Sequence, residues 1–312
     1  MDLKEYLKRI GFEGEAQADL RTLKNMQTSH LLTVPYENLD ALMNKPIILK
    51  NELLYDKIVR QSRGGWCHEL NGLFHWALEQ IGFETWFGNA KCRSRDGKQW
   101  CRDFDHMVCL VRLGDEIFYA DVGLGSCKRP FHPILIRDGE VSKQATGTFR
   151  LSFCKQTAEW SLCHRGKGAS GEWATMLKFW TQPFLLRDFQ DTCTTYEKGL
   201  DQRESLLGVT PVVVKSDPAD STATHMIIGN KYRLYCNVGL KNKTTCLKED
   251  HVTLEQLHWK LKNIFGINLE LEQMDSFYRH LPQAHIDRTL QIPMVTQVQD
   301  KCLLMISGAM GR

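Results

Sequence analysis

Three side chains in this sequence are of the types that nucleophilic acyl chemistry uses: Cys67 in RGGWCHELN, His106 in FDHMV and Asp121 in DVGLGS. A cysteine attacks a carbonyl as its thiolate, an imidazole takes the thiol proton, and a carboxylate holds the imidazole in one tautomer. His106 follows Cys67 by 39 residues and Asp121 follows His106 by 15, so the fold must bring the set together. His68 adjoins Cys67, but adjacent residues of a helix do not face each other, which leaves His106 as the better base. Asp105 competes with Asp121 as the orienting acid; neighbours on a strand point to opposite faces, which disfavours it. Each residue alone has an ordinary reading: a buried thiol, a hydrogen-bonded strand histidine and a turn-initiating acid before Gly123.

The elements that must position these groups are visible in the periodicity. Leu70, Phe74, Ala77, Leu78 and Ile81 form a helical stripe that stops at Gly82, which puts Cys67 at the start of a helix. There the unpaired backbone N–H groups and the positive end of the helix dipole favour a negatively charged sulfur. Gly64 and Gly65, lacking Cβ atoms, suit a tight turn that presents Cys67. Residues 104–113 and 116–122 alternate as strands around Gly114-Asp115, a hairpin that can carry His106 and Asp121 on neighbouring strands. Upstream, Leu3, Tyr6, Leu7 and Ile10, then Leu20, Leu23 and Met26, then Leu53, Leu54, Ile58 and Val59 predict three further helices. Downstream, HRGKGASGE (164–172) predicts a connector, VTPVVV (209–214) and KYRLYCNV (231–238) predict strands, and Leu254, Leu257, Leu261 and Ile264 predict a helix.

Composition excludes several classes. The chain has 312 residues, 42% hydrophobic and 25% charged, which is ordinary globular usage. A formal charge of +3 with scattered Lys and Arg offers no basic stripe for nucleic acid. No apolar run reaches the ~18 residues of a membrane span. The start MDLKEYLKRIG is acidic and amphipathic where a secretory signal is basic and then apolar, so a cytoplasmic location is expected. The 11 widely spaced cysteines then read as free thiols, and Asn242-Lys243-Thr244 as surface loop rather than a glycosylation site. A zinc module built on Cys92, Cys101, His106 and Cys109 lacks the paired C-x₂₋₄-C knuckle, so no metal is expected.

The combined pattern resembles the arylamine N-acetyltransferases: RGGWCHELN (63–71), His106, and Asp121 in DVGLGS, joined by VPYENL (34–39), IGFET (81–85), MDLKEYLKRIGF and the late segment NIFGINL (263–269). The resemblance is strong over about residues 1–150 and thins beyond. It implies an α+β fold with a papain-like cysteine catalytic core. A helical bundle (1–83) would carry Cys67. A β-barrel (84–190), with a connector near 164–190, would carry His106 and Asp121. An α/β lid and C-terminal tail would fill 191–312. It further implies Cys67, His106 and Asp121 as nucleophile, base and orienter, and Arg63 with Glu37 as a supporting buried ion pair. Gly123, Leu124, Gly125 and Ser126 would border an acyl-CoA pocket, with Tyr36, Trp66 and Phe104 near the acceptor. The implied activity is transfer of acetyl from acetyl-CoA to an arylamine, arylhydroxylamine or hydrazine by ping-pong kinetics, with no bound cofactor and no obligate protein partner.

The sequence departs from that pattern late. About forty residues follow NIFGINL, and TTYEKGLDQRESLL (194–207) lacks the usual Ser/Pro lid segment, so no CoA contacts are carried over there. Malonyl or another acyl donor is an alternative, as are a papain-like amide hydrolase and an amide synthase. A papain-type histidine lies roughly 130 residues or more beyond its cysteine, far from the interval of 39 here.

Overall fold

The computed structural model describes residues 1–93, 99–165, 172–199, 208–236 and 245–278, all within one compact unit, Met1–Pro282. Asn242–Thr244, the end of the 231–238 strand, most of the 164–172 connector, residues 200–207 and the tail beyond 278 lie outside the described residues.

The N-terminal helices start and stop where side chains can satisfy their ends. In α1 (Leu3–Ile10), Asp2 accepts from the Lys4 N–H at 2.7 Å, and Gly11 closes the helix at φ 69°. In α2 (Leu20–Thr33), Asp19 accepts from the Thr22 N–H at 2.7 Å. The short strand β1 (Tyr36–Glu37), α3 (Leu39–Leu42) and α4 (Asn51–Tyr55) follow; α4 continues into a π-turn, Asp56–Arg60. Then comes α5 (Cys67–Ile81), ended by Gly82 at φ 101°. The stripe read from the sequence accounts for only part of this helix, because Cys67–Leu78 are all buried. The reason is its position: Tyr6, Leu23 and Met26 cover it from the helical side and Met107, Cys109 and Val111 from a sheet.

That sheet is antiparallel. Its strands are β2 (Glu84–Cys92), β3 (His106–Leu113), β4 (Glu116–Ala120), β5 (Ile134–Leu135), β6 (Val141–Gln144), β7 (Gly147–Cys154), β8 (Glu159–Arg165) and β9 (Ala174–Phe179). Their order is β5-β4-β3-β2-β9-β8-β7-β6. Val108, Leu110 and Tyr119 pack with Phe149, Leu151, Leu162, Leu177 and Phe179 on the inner face, while alternate residues of β3 meet α5. The Gln144 side chain of β6 accepts from Phe131 and His132 N–H at 2.6 and 2.8 Å, just ahead of β5, so the sheet nearly closes into a barrel. The predicted connector spans neighbouring antiparallel strands, β8 and β9, and its first two residues belong to β8.

The helix α6 (Gln190–Glu197) follows a 3₁₀ turn, Leu186–Phe189. A second, five-stranded sheet has the order β1-β10-β11-β12-β13, with β10 (Val212–Ser216), β11 (Ala223–Ile228), β12 (Lys231–Cys236) and β13 (Thr245–His251). Its first strand comes from VPYENL, with Tyr36 paired to Val214. Helix α7 (Leu254–Lys260), its π-turn Leu261–Phe265 and α8 (Leu271–Tyr278) cover it through Leu257, Leu261, Phe265 and Met274. Among the described residues no helix is long and apolar enough to cross a membrane.

Candidate active site

Cys67 is the first residue of α5 and is 4% exposed. The turn before it is crowded: a Cβ on Gly64 would overlap the Pro35 carbonyl oxygen, and one on Gly65 would lie 2.8 Å from the Glu69 side chain. Glu69 reaches back to accept the Trp66 N–H at 3.0 Å, the returning half of a capping box. Its other oxygen meets Lys57 Nζ at 2.8 Å, and Lys57 also meets Asp40 at 2.9 Å. Arg63 then joins Asp40 at 3.0 Å to Glu37 at 2.7 Å. Five charges thus lace β1, α3, the π-turn and the start of α5 together. Burial opposes the charge on Arg63, but Glu37 and Asp40 outweigh it and hold the guanidinium protonated.

His106 and Asp121 meet on the barrel side. Continuing the β3–β4 register beyond Cys109↔Ala120 would set His106 opposite Gly123, so Asp121 is its diagonal neighbour on the same face. His106 Nε2–H donates to Asp121 Oδ2 at 2.8 Å. Tyr119 OH donates to the same oxygen at 2.7 Å, while Asn71 Nδ2 and the Gly123 N–H donate to Oδ1 at 2.9 and 2.8 Å. Burial alone would raise the Asp121 pKa, yet His106 and these donors bring it below the ordinary carboxylate value. Burial likewise works to lower that of His106, and Asp121, with help from Asp105, raises it overall. With Nε2 committed, Nδ1 is the ring nitrogen available as a base.

Around the sulfur, Cys67 Sγ lies 3.8 Å from the Asp105 carbonyl, one residue before His106. Asp105 itself is occupied elsewhere, accepting from Tyr196 OH at 2.7 Å and the Cys92 N–H at 3.0 Å. Burial pushes the Cys67 thiol up, and Asp105, Cys193 and Asp121 add to that; the His68 backbone N–H opposes it. Contrary to the helix-geometry argument, the His68 ring does reach Cys67, with Nδ1 3.7 Å from Sγ. At the first turn no preceding helical turn intervenes, so the ring can lean over its neighbour. Its Nε2–H donates to the Phe104 carbonyl at 3.0 Å, and burial followed by the charge on His106 depresses its pKa to about 3.

The remaining predicted residues fall into two groups. Gly123 and Gly125 are close-approach positions: a Cβ would come 2.7 Å from Cys67 Cα in the first case and 2.9 Å from the Tyr36 ring in the second. Ser126 is half-buried and accepts from the Lys128 N–H at 3.1 Å. Leu124, Tyr36 and Trp66 are core residues, 9%, 8% and 1% exposed. Phe104 is half-buried at φ 63°, a left-handed conformation that costs a bulky residue about 1–3 kcal/mol. Asn89, accepting the Phe104 N–H at 2.7 Å, and His68, donating to the Phe104 carbonyl, hold it there.

Sequence reasoning missed Asn71, Tyr119, Lys57, Asp40, Glu69 and Cys193. Two of these carried a signal: Asn71 is four residues after Cys67 on the predicted helix, and Tyr119 is two before Asp121 along the strand direction. Among the described residues no cluster of His, Cys, Asp and Glu has the arrangement of a metal site. Cys109 instead faces α5, with its S–H directed to the Asn71 carbonyl at 3.4 Å.

Comparison with known proteins shows which family the chain falls in. The profile of the N-acetyltransferase family matches residues 19–274. A pineal gland arylamine N-acetyltransferase isozyme of Gallus gallus is 36% identical over 52% of this chain, so the match spans only 56% of that protein. Arylamine N-acetyltransferase 1 of Homo sapiens is 26% identical over 94% of this chain and 100% of its own length. The Mycobacterium marinum arylamine N-acetyltransferase, solved in complex with CoA, superposes with a TM-score of 0.76 at 21% identity, covering 90% of this chain and 100% of that one. With a family profile spanning most of its length, this chain belongs to the arylamine N-acetyltransferase family.

Proposed function

We propose that this chain transfers acetyl from acetyl-CoA to an arylamine, arylhydroxylamine or hydrazine by way of an acetyl-Cys67 intermediate. The observation that carries the reading is the Asp121 carboxylate. It is fully buried, all four of its hydrogen-bond positions are filled, and it directs His106 Nδ1 away from itself. Burial opposes a lone thiolate, so Cys67 ionises by passing its proton to His106 Nδ1, and the imidazolium supplies the counter-charge. The sulfur attacks the thioester carbonyl. Backbone N–H groups at the α5 start stabilise the oxyanion, and CoA leaves as its thiol, taking the proton from His106 Nδ1 and returning it to the neutral base. The amine then attacks acetyl-Cys67, its proton passes to Nδ1, and the amide departs.

In this reading Gly123–Ser126 border the acyl-CoA channel, with Gly123 packed against Cys67 and Gly125 against Tyr36. Tyr36, Trp66 and Phe104 give the acceptor side an aromatic wall. The CoA complex of the Mycobacterium marinum protein supports the donor class. Brief exposure to acetyl-CoA without acceptor should add one acetyl to Cys67, and an aromatic amine should remove it as the N-acetyl product forms. Absence of any adduct, with acetyl-CoA or another acyl-CoA, would refute the covalent route.

A further inference from the structure

Two thiols converge on one ring nitrogen beside the proposed nucleophile. Cys193 of α6 places Sγ 3.3 Å from His68 Nδ1, and Cys67 Sγ is 3.7 Å from the same atom. The sulfurs are therefore no further apart than those two contacts laid end to end. His68 Nε2–H is committed to Phe104, which leaves Nδ1 a bare acceptor with both sulfurs facing it. Phe189, just before α6, packs on the His68 ring with centroids 5.4 Å apart. Cys193 is 0% exposed and the proposed acyl chemistry does not use it.

We infer that Cys193 is the resolving thiol for Cys67, capturing the oxidised sulfur as an intramolecular disulfide. This rests on the reading of Cys67 as the reactive thiolate. A peroxide supplies the oxidant: the Cys67 thiolate attacks one peroxide oxygen, the O–O bond breaks, and hydroxide leaves as the sulfur becomes a sulfenic acid. Cys193 sulfur then attacks that sulfur. An S–S bond forms, the S–O bond breaks, and the hydroxyl departs with the Cys193 proton as water. The disulfide silences acyl transfer, shields Cys67 from irreversible sulfinic oxidation, and is reopened by a thiol reductant.

The test uses the full reduced chain. Limiting iodoacetamide should first label Cys67 alone; if it does not, the nucleophile reading falls and this inference falls with it. On a separate, unlabelled sample, stoichiometric hydrogen peroxide should remove two hydrogens from the intact mass and yield a Cys67–Cys193 peptide. Dithiothreitol should restore the lost activity. Under the same peroxide dose C193S, and C193A as a second variant, should gain oxygen on Cys67. Each should recover about tenfold less of its own untreated activity. Wild-type protein in which peroxide oxidises unlabelled Cys67 yet Cys193 stays free, or in which Cys67 pairs with Cys92, would overturn the inference while leaving the acyl chemistry untouched.

Discussion

Replacing Asp121 with asparagine should slow acylation of Cys67 by about three to four orders of magnitude. Asp121 accepts from His106, Tyr119, Asn71 and Gly123. An asparagine of the same shape has one carbonyl oxygen for two of these donors, and its NH₂ must face the other two. The Gly123 N–H cannot turn away, whereas Tyr119 OH can rotate and His106 can change tautomer. The amide nitrogen therefore settles on the His106 side, Nε2 becomes an acceptor, and the proton moves to Nδ1, the atom needed as base. Wrong tautomers in serine triads cost about 10⁴ in rate, or about 5.5 kcal/mol of transition-state stabilisation. Stability should fall less, since only charge-assisted hydrogen bonds worth about 1.5–3 kcal/mol each are weakened. Single-turnover acetylation by acetyl-CoA, followed across pH with urea unfolding as control, measures both. A folded variant with acylation within threefold of wild type would show that the carboxylate does not set the His106 tautomer.

Other outcomes can be worked from the same structure. Lys57→Met strips the counter-ion from buried Glu69 and leaves Asp40 to Arg63 alone, and should cost about 3–5 kcal/mol in chemical unfolding; a loss under 1 kcal/mol would remove the network from the account of how α5 is held. His30 and His68 are buried with pKa values near 3, below the ordinary 6.5. The unfolded chain therefore binds their protons first, so stability is complete above that ordinary value and declines as pH falls from it toward 3. The decline should reach about 2–3 kcal/mol for each by pH 4.5, and H30N should lose its share of that slope in pH-dependent urea melts. Gly123→Ala drives a methyl to within 2.7 Å of Cys67 Cα and 2.8 Å of the Cys67 carbonyl oxygen, backbone atoms that cannot swing aside. It should destabilise by about 1–3 kcal/mol and impair acetylation; normal rates would mean that the 121–126 loop tolerates displacement.

What the sequence by itself determined was local. The apolar stripe ending at Gly82 placed the start of α5 at Cys67, and Gly114-Asp115 set a two-residue hairpin loop, because helix and strand periods are properties of neighbouring residues. The hairpin register follows from that loop, and with it the diagonal pairing of His106 and Asp121. Asn71 was within reach of the same reasoning, being on the Cys67 face of the helix. Only the tertiary structure decided the rest. Burial of α5 on all sides required a sheet on one flank and helices on the other, which no amphipathic pattern within the helix encodes. Pairing of Tyr36 with Val214 crosses most of the chain, and Cys193 meets His68 across 125 residues. Lys57, Asp40 and Glu69 look like ordinary solvated charges in sequence. They become a buried network because chain segments close over them, and a charge removed from water must find its partner wherever the fold delivers one.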